Sequence, residues 1–147
     1  MTCNYDENDK QQMKIAAQAK NKSRMQELID FIKISGFHKI GIANCASMQV
    51  YADKLVEILK KENLQIFAIY CKESGLQGED ICEEMSGPSC DPISQAEFLN
   101  RQQTELNINL GLCLGHGLLF QKYSQAPVTT LVVKDAATEH KSIENLL

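Results

Sequence analysis

The chain has 147 residues, of which 44% are hydrophobic and 23% charged, as in a single globular domain. A chain of this length can bury a core without disulfides. The net charge of −4 argues against nucleic-acid binding, which uses lysine and arginine to neutralise phosphates. No apolar run approaches the roughly 18 residues of a membrane span, and residues 1–12 are too polar for a signal peptide. We therefore expect a cytoplasmic protein that binds neither nucleic acid nor membrane.

Alternating strand-like and helix-like segments make up most of the chain. Residues 1–12 are predicted to be a flexible lead, and one helix is expected from residue 13 to about 35. Four short apolar runs predict strands, with helix-like segments after them, at 39–45, 65–71, 107–113 and 127–133. This alternation predicts a single α/β domain over residues 13–147, with a four-stranded parallel sheet ordered 2-1-3-4 and helices on both faces.

A long segment from Lys72 to Cys90 separates the second strand from the next helix. It is rich in glycine, serine, glutamate and proline, and loops of this length tend to be functional or mobile. Few apolar side chains anchor it. We therefore expect a bound centre to order this loop and to bring Cys90 to the edge of the sheet.

Six cysteines are the unusual part of the composition: Cys3, Cys45, Cys71, Cys82, Cys90 and Cys113. Cys45, Cys71 and Cys113 each end a predicted strand, and Cys90 precedes the helix cap Asp91. Since the carboxyl ends of parallel strands share one edge, these four cysteines are expected to converge there. The helix amino termini at that edge stabilise thiolates. A lone strand cysteine is usually a buried hydrophobe, but four together favour a set of metal ligands.

Two kinds of metal centre suit four such thiolates, and we expect a [4Fe–4S] cluster in preference to Zn²⁺. Adjacent strands lie about 4.8 Å apart, whereas a tetrahedral zinc with Zn–S bonds of about 2.3 Å needs its sulfurs only about 3.8 Å apart. A cluster spans the wider separation with less strain. Lys72 beside Cys71 and His116 after Cys113 are candidate charged or proton-carrying groups next to the site.

Two readings without a metal centre remain open. In the first, the protein is a thiol enzyme in which Cys113 or Cys90 is the nucleophile and His116 the base. In the second, it is a regulatory module that senses redox state. The absence of C-x-x-C, of Walker and G-x-G-x-x-G loops, and of H-E-x-x-H argues against several better-known classes. A small molecule or a redox protein remains open as the partner, as does self-association.

Two segments carry a resemblance to a known family. C-D-P-I-S-Q-A-E-F-L-N at Cys90–Asn100 and G-L-C-L-G-H at Gly111–His116 are similar to a family of small prokaryotic proteins. That family is a domain of unknown function, usually labelled only as metal-binding. The resemblance covers about residues 37–140 and includes the stretch Lys122–Asp135.

The resemblance implies that the four strand-end and loop cysteines match the cysteine positions of the family, with Lys72 and His116 beside them. Two departures stand out. Family members often begin with a cysteine-rich segment, of which this chain keeps only Cys3. They also tend to have an aspartate after the Gly-His pair, where this chain has Gly117. Cys3 and Cys82 are therefore expected to be dispensable for the metal site.

Overall fold

A computed structural model describes residues 2–147 and divides the chain into two compact units, one reaching His38 and one spanning Lys39–Leu147. The helices are α1 (Glu7–Ala19), α2 (Arg24–Ser35), α3 (Gln49–Lys60), α4 (Pro92–Arg101) and α5 (Leu114–Tyr123). The strands are β1 (Lys39–Asn44), β2 (Gln65–Tyr70), β3 (Leu106–Leu110) and β4 (Val128–Val132). Within residues 2–147, no helix is both long and apolar enough to cross a membrane.

The first unit contains two helices where the sequence predicts one. Helix α1 begins inside the segment assigned to a lead, because Asp6 accepts a hydrogen bond from the Asp9 backbone N–H at 2.8 Å and completes a capping box. The chain leaves the helical conformation at Lys20, and Asn21 has a φ of 64°. Ser23 then caps α2. The polar capping residues therefore set both helix boundaries.

The second unit is a four-stranded parallel sheet in the order β2-β1-β3-β4, which confirms the predicted fold and strand order. The central strands β1 and β3 are buried along almost their whole length, whereas β2 and β4 are partly exposed edges. Helices lie on both faces, as right-handed crossovers require for this order. Helices α4 and α5 pack through Leu99 and Phe120 against the face that carries Ala43 and Ile69.

The connection from Lys72 to Cys90 is folded on itself. Gln77 and Pro88 form an antiparallel bridge, and the Gly78 N–H donates to the Gly87 carbonyl at 2.7 Å. A short 3₁₀ turn covers Gly78–Asp80. The loop therefore has hydrogen bonds of its own, and the ordering of this loop by a bound centre stays a prediction.

Candidate thiol site

The ends of β1 and β2 bring two cysteines side by side. Asn44 pairs with Tyr70 in the parallel register, so the next residue of each strand is a cysteine at the same level of the sheet. Cys45 and Cys71 are 8% and 2% exposed, and they share a buried cluster with Met48. Cys90 packs against that cluster. Three of the four predicted cysteines therefore meet at the carboxyl edge of the sheet.

A backbone hydrogen bond of the next residue, Asp91, holds Cys90 at this edge. The Asp91 N–H donates to the Cys71 carbonyl at 2.7 Å, and the Ser74 hydroxyl donates to the Asp91 carboxylate at 2.6 Å. The same carboxylate accepts from the Ser94 N–H at 3.0 Å and so caps α4. Both ends of the long loop are thereby joined beside Cys71. The thiol of Cys90 is in contact with the thiol of Cys71.

The fourth cysteine reaches the site by a different route. The chain passes from β3 through Gly111 and Leu112 to Cys113, which is the N-cap of α5 and is half-buried. Lys134, two residues beyond β4, places its ammonium 3.3 Å from Cys45 Sγ and 3.6 Å from Cys113 Sγ. Cys113 is thus joined to the buried cluster through a shared cation. We call Cys45, Cys71, Cys90 and Cys113 the thiol site.

The environment of each buried thiol sets its acidity. Burial raises the pKa of Cys45, but hydrogen bonds from Ser47, at 3.1 Å, and from Lys134 outweigh that effect and leave the pKa below its usual value. Burial raises the pKa of Cys71 to about 11, against a hydrogen bond from the Ala46 N–H at 3.3 Å. The neighbouring Cys45 thiolate in turn raises the pKa of Lys134. The site therefore combines an acidic thiol with a weakly acidic one.

A buried amide fixes the separation of the two strand ends. Gln95 of α4 is 1% exposed, and its side-chain N–H groups donate to the Asn44 carbonyl at 3.3 Å and to the Ile69 carbonyl at 2.9 Å. Asn44 in turn donates to the Cys45 carbonyl at 2.9 Å. The sequence pattern did not single out Gln95, although a glutamine on the buried face of a helix is itself a signal of a polar partner.

Met48 fills the floor of the thiol site. It is 1% exposed and lies against Gly111, whose φ is 72°. A Cβ on Gly111 would lie only 2.6 Å from Met48 Cγ, so this position needs glycine for both its conformation and its space. The site thus contains a buried thioether that the cysteine pattern alone did not reveal.

Several residues chosen from the sequence make no hydrogen bond to a thiol within residues 2–147. Lys72 is exposed, and in the described part of the chain the cation that contacts the thiol site is Lys134. His116 is half-buried in the first turn of α5, and its ring makes no hydrogen bond to a thiol among residues 2–147. Cys3 and Cys82 are exposed. The assignment of roles to Lys72 and His116 stays a prediction.

The thiols are close but do not form a finished coordination shell. All six cysteines are free thiols. Among residues 2–147, no three histidine, cysteine, aspartate or glutamate side chains are grouped tightly enough to hold a single metal ion. The engagement of all four sulfurs by one centre stays a prediction.

Comparison with known proteins places the chain in a family. The model of a family described as "Protein of unknown function (DUF1847)" matches residues 2–131. The Uncharacterized protein MJ0455 of Methanocaldococcus jannaschii is 41% identical over 126 residues, which are 82% of this chain and 65% of that protein. The chain therefore spans less than two thirds of the length of this relative. No solved structure matches this chain. In agreement with the resemblance in its sequence, the chain belongs to the DUF1847 family of proteins of unknown function.

Proposed function

We propose that the protein holds an iron–sulfur cluster, preferably [4Fe–4S], through Cys45, Cys71, Cys90 and Cys113, with Zn²⁺ as the alternative centre. One observation carries the proposal: three cysteines meet at the carboxyl edge of the sheet, where α/β folds bind ligands, and Lys134 joins Cys113 to them. The role open to such a centre is redox chemistry, handling of sulfur or metal, or structural support.

The preference for a cluster over a single zinc ion rests on the spacing of neighbouring parallel strands, whose ends lie about 4.8 Å apart. A tetrahedral zinc needs four sulfurs within about 3.8 Å of one another, given Zn–S bonds of about 2.3 Å. Cys113 and Cys45 share the Lys134 ammonium, which lies 3.6 Å and 3.3 Å from their sulfurs. A cubane spans a wider set of sulfurs. The Ala46 N–H and the Lys134 ammonium also donate to thiol sulfurs, which is the kind of contact that tunes cluster potentials.

The free thiols and the proposed centre also support a proposal for the cell compartment and the partners. Six free thiols suit the reducing cytoplasm, where disulfides are rare. A redox protein or a small molecule is then the partner we propose for the centre, and neither a nucleic acid nor a membrane is part of the proposal. The net charge of −4 gives no basis for phosphate binding.

Anaerobic reconstitution with iron and sulfide tests the proposal. We expect brown protein that absorbs in the visible blue region, with about four iron and four sulfide ions per chain. Cys82→Ser serves as the matched control, because Cys82 is an exposed cysteine of the loop. Colourless protein with one tightly bound zinc ion per chain would show that the centre is Zn²⁺ and not a cluster. Failure to retain either metal would refute the proposal.

A metal-free thiol enzyme is the second candidate, and the depressed pKa of Cys45 favours it. In this reading the nucleophile is Cys45, activated by Lys134 and Ser47, in place of Cys113 or Cys90 with His116 as base. Competitive labelling of the metal-free protein with iodoacetamide distinguishes these choices. One cysteine that reacts far faster than the other five would support the enzyme, and its position would identify the nucleophile.

A further inference from the structure

Lys134 places a positive charge between two sulfurs of the thiol site. Its side chain is half-buried, and its ammonium donates to two sulfurs, Cys45 Sγ at 3.3 Å and Cys113 Sγ at 3.6 Å. It lies beyond residue 131, where the match to the family model ends. Within residues 2–147 it is the lysine that links Cys113 to the buried cluster of cysteines.

The contact of Lys134 with two thiols affects both the net charge of the thiol site and the position of Cys113. Four thiolates around a divalent ion or a cluster leave net negative charge, and a cation in contact with two of them offsets part of it. Cys90 packs against the buried group of Cys45, Met48 and Cys71, whereas Cys113 is linked to that group through Lys134. Because Lys134 donates to both Cys45 and Cys113, it limits how far the Cys113 sulfur can lie from the Cys45 sulfur.

We propose that Lys134 is a positioning residue of the thiol site, which holds Cys45 and Cys113 together as one pair and remains their N–H donor when a centre binds. The inference rests on the proposed function and assigns it a residue outside the cysteine set. Groups that orient or hydrogen-bond metal ligands typically change metal affinity by 10- to 100-fold when they are removed. Lys134→Met keeps a long flexible side chain but removes both the charge and the N–H donors, whereas Lys134→Arg keeps both.

The first measurement uses the metal-free protein and so does not depend on the identity of the centre. Each cysteine is alkylated in parallel with anionic iodoacetate and neutral iodoacetamide, and the ratio of the two rates is mapped by mass spectrometry. The ratio cancels the ionised fraction of each thiol and reports the nearby positive charge. We expect Lys134→Met to lower it severalfold at Cys45 and Cys113, with Lys134→Arg near wild type. Cys82 is the internal control.

The second measurement is Zn²⁺ affinity, obtained by competition with a chromophoric chelator and used as a probe of thiolate ligation. We expect Lys134→Met to bind Zn²⁺ about 10- to 100-fold more weakly than wild type, and Lys134→Arg to recover most of the loss. Lys60→Met, which removes an exposed lysine in the last turn of α3, should bind like wild type. This pair of lysine variants separates a specific contact from a general loss of charge.

The outcomes separate the two proposals. An alkylation ratio that does not change in Lys134→Met overturns the role of Lys134, whatever the metal does. A changed ratio with unchanged Zn²⁺ affinity also overturns it, because the contact would then have no effect on the site. If the ratio depends on Lys134 while the wild-type protein retains neither zinc nor a cluster, the pairing of the two thiols stands and the metal-binding function fails.

Discussion

Cys45 and Cys71 are neighbours at the ends of paired strands, yet their surroundings give them opposite acidities. The Cys45 sulfur accepts hydrogen bonds from Ser47 and Lys134, which stabilise a thiolate. The Cys71 sulfur is 2% exposed, accepts from one backbone N–H and lies against Cys90. A centre that uses both thiols must therefore remove the proton of Cys71, and its affinity must rise with pH.

The raised pKa of Cys71 predicts a loss of stability at alkaline pH in the metal-free protein. In the unfolded chain this thiol ionises near its usual value of 9.0, whereas in the folded protein it holds its proton up to about 11. The folded state then binds more protons than the unfolded state, so the free energy of unfolding falls as pH rises through this window. Urea unfolding of wild type and Cys71→Ser between these pH values measures the effect. Parallel pH profiles for the two proteins would contradict it.

The choice of metal ligands is testable with single serine substitutions. Cys45→Ser and Cys113→Ser should lose most of the bound metal, because each removes one of four ligands. Cys3→Ser and Cys82→Ser, both at exposed cysteines, should keep it. Metal content after gel filtration is the measurement. The ligand set is wrong if Cys82→Ser empties the site while Cys71→Ser does not.

The glycine beneath the thiol site gives a sharper stability prediction. Gly111→Ala introduces a Cβ 2.6 Å from Met48 Cγ at a φ of 72°, and such strained positions cost about 1–3 kcal/mol. We expect a loss of that size in the free energy of unfolding, measured with urea. Gly115→Ala in α5 is the control, since no atom lies within 4 Å of its added Cβ. The control should be neutral or slightly more stable, as alanine favours helix.

At the scale of elements, the loop between β2 and α4 depends on a close backbone contact. The added Cβ of Gly78→Ala would lie 2.7 Å from the Ser86 backbone nitrogen, next to the bond from Gly78 to Gly87. We expect this variant to be cleaved faster within the loop in limited proteolysis of the metal-free protein. Cys82→Ser, exposed in the same loop, should be cleaved like wild type.

Comparison of chelator-treated and metal-loaded wild type in the same assay measures the contribution of the centre to loop order. If loading slows cleavage, the centre orders the loop as the sequence predicts. Equal rates in the two states would mean that the hydrogen bonds of the loop itself, such as those from Gly78 and Ser89, are sufficient. Equal cleavage of Gly78→Ala and wild type would contradict the importance of the Gly78 contact.

The elements were predictable to different degrees, for physical reasons. Apolar runs between helical segments, together with the right-handedness of crossovers, are enough to predict the sheet order. The break between α1 and α2 was missed because it depends on the left-handed Asn21 and the cap at Ser23 rather than on apolar spacing. The predicted strands also extended to the cysteines, whereas β1 and β2 end one residue earlier, at Asn44 and Tyr70. Strand β3 ends at Leu110, three residues before Cys113, which is the N-cap of α5.

The site was predictable only where local sequence and topology agree. Cysteines at strand ends converge in any parallel sheet, so their gathering follows from the pattern. Lys134 could not be inferred, because a lysine two residues past an edge strand is typical of any exposed strand end in sequence. Lys72 was chosen for its adjacency to Cys71, but it lies exposed in the turn after β2, where its side chain makes no hydrogen bond to a thiol among the described residues. Gln95 and Met48 likewise become site residues only through tertiary packing.

For the whole molecule, a bound centre should act as a cross-link between distant parts of the chain. Its four ligands follow β1, follow β2, precede α4 and precede α5. A ligand that binds only the folded state stabilises it, by about 4 kcal/mol at 1,000 times its dissociation constant. We expect the metal-loaded protein to melt at higher temperature than the chelator-treated protein, by calorimetry. Cys113→Ser should lose most of that difference, and Cys82→Ser should keep it.

The contact made by Lys134 also has a consequence for the time at which the site can assemble during synthesis. Chains emerge amino terminus first at about 5–20 residues per second, so several seconds separate the appearance of Cys45 from that of Lys134. Throughout that interval the earlier cysteines are present, but the sheet lacks β4 and the thiol pair lacks its cation. A ribosome-bound chain that stops short of residue 134 therefore exposes thiols without a completed site. We therefore expect the proposed centre to be inserted late, after release of the carboxyl-terminal strand from the ribosome.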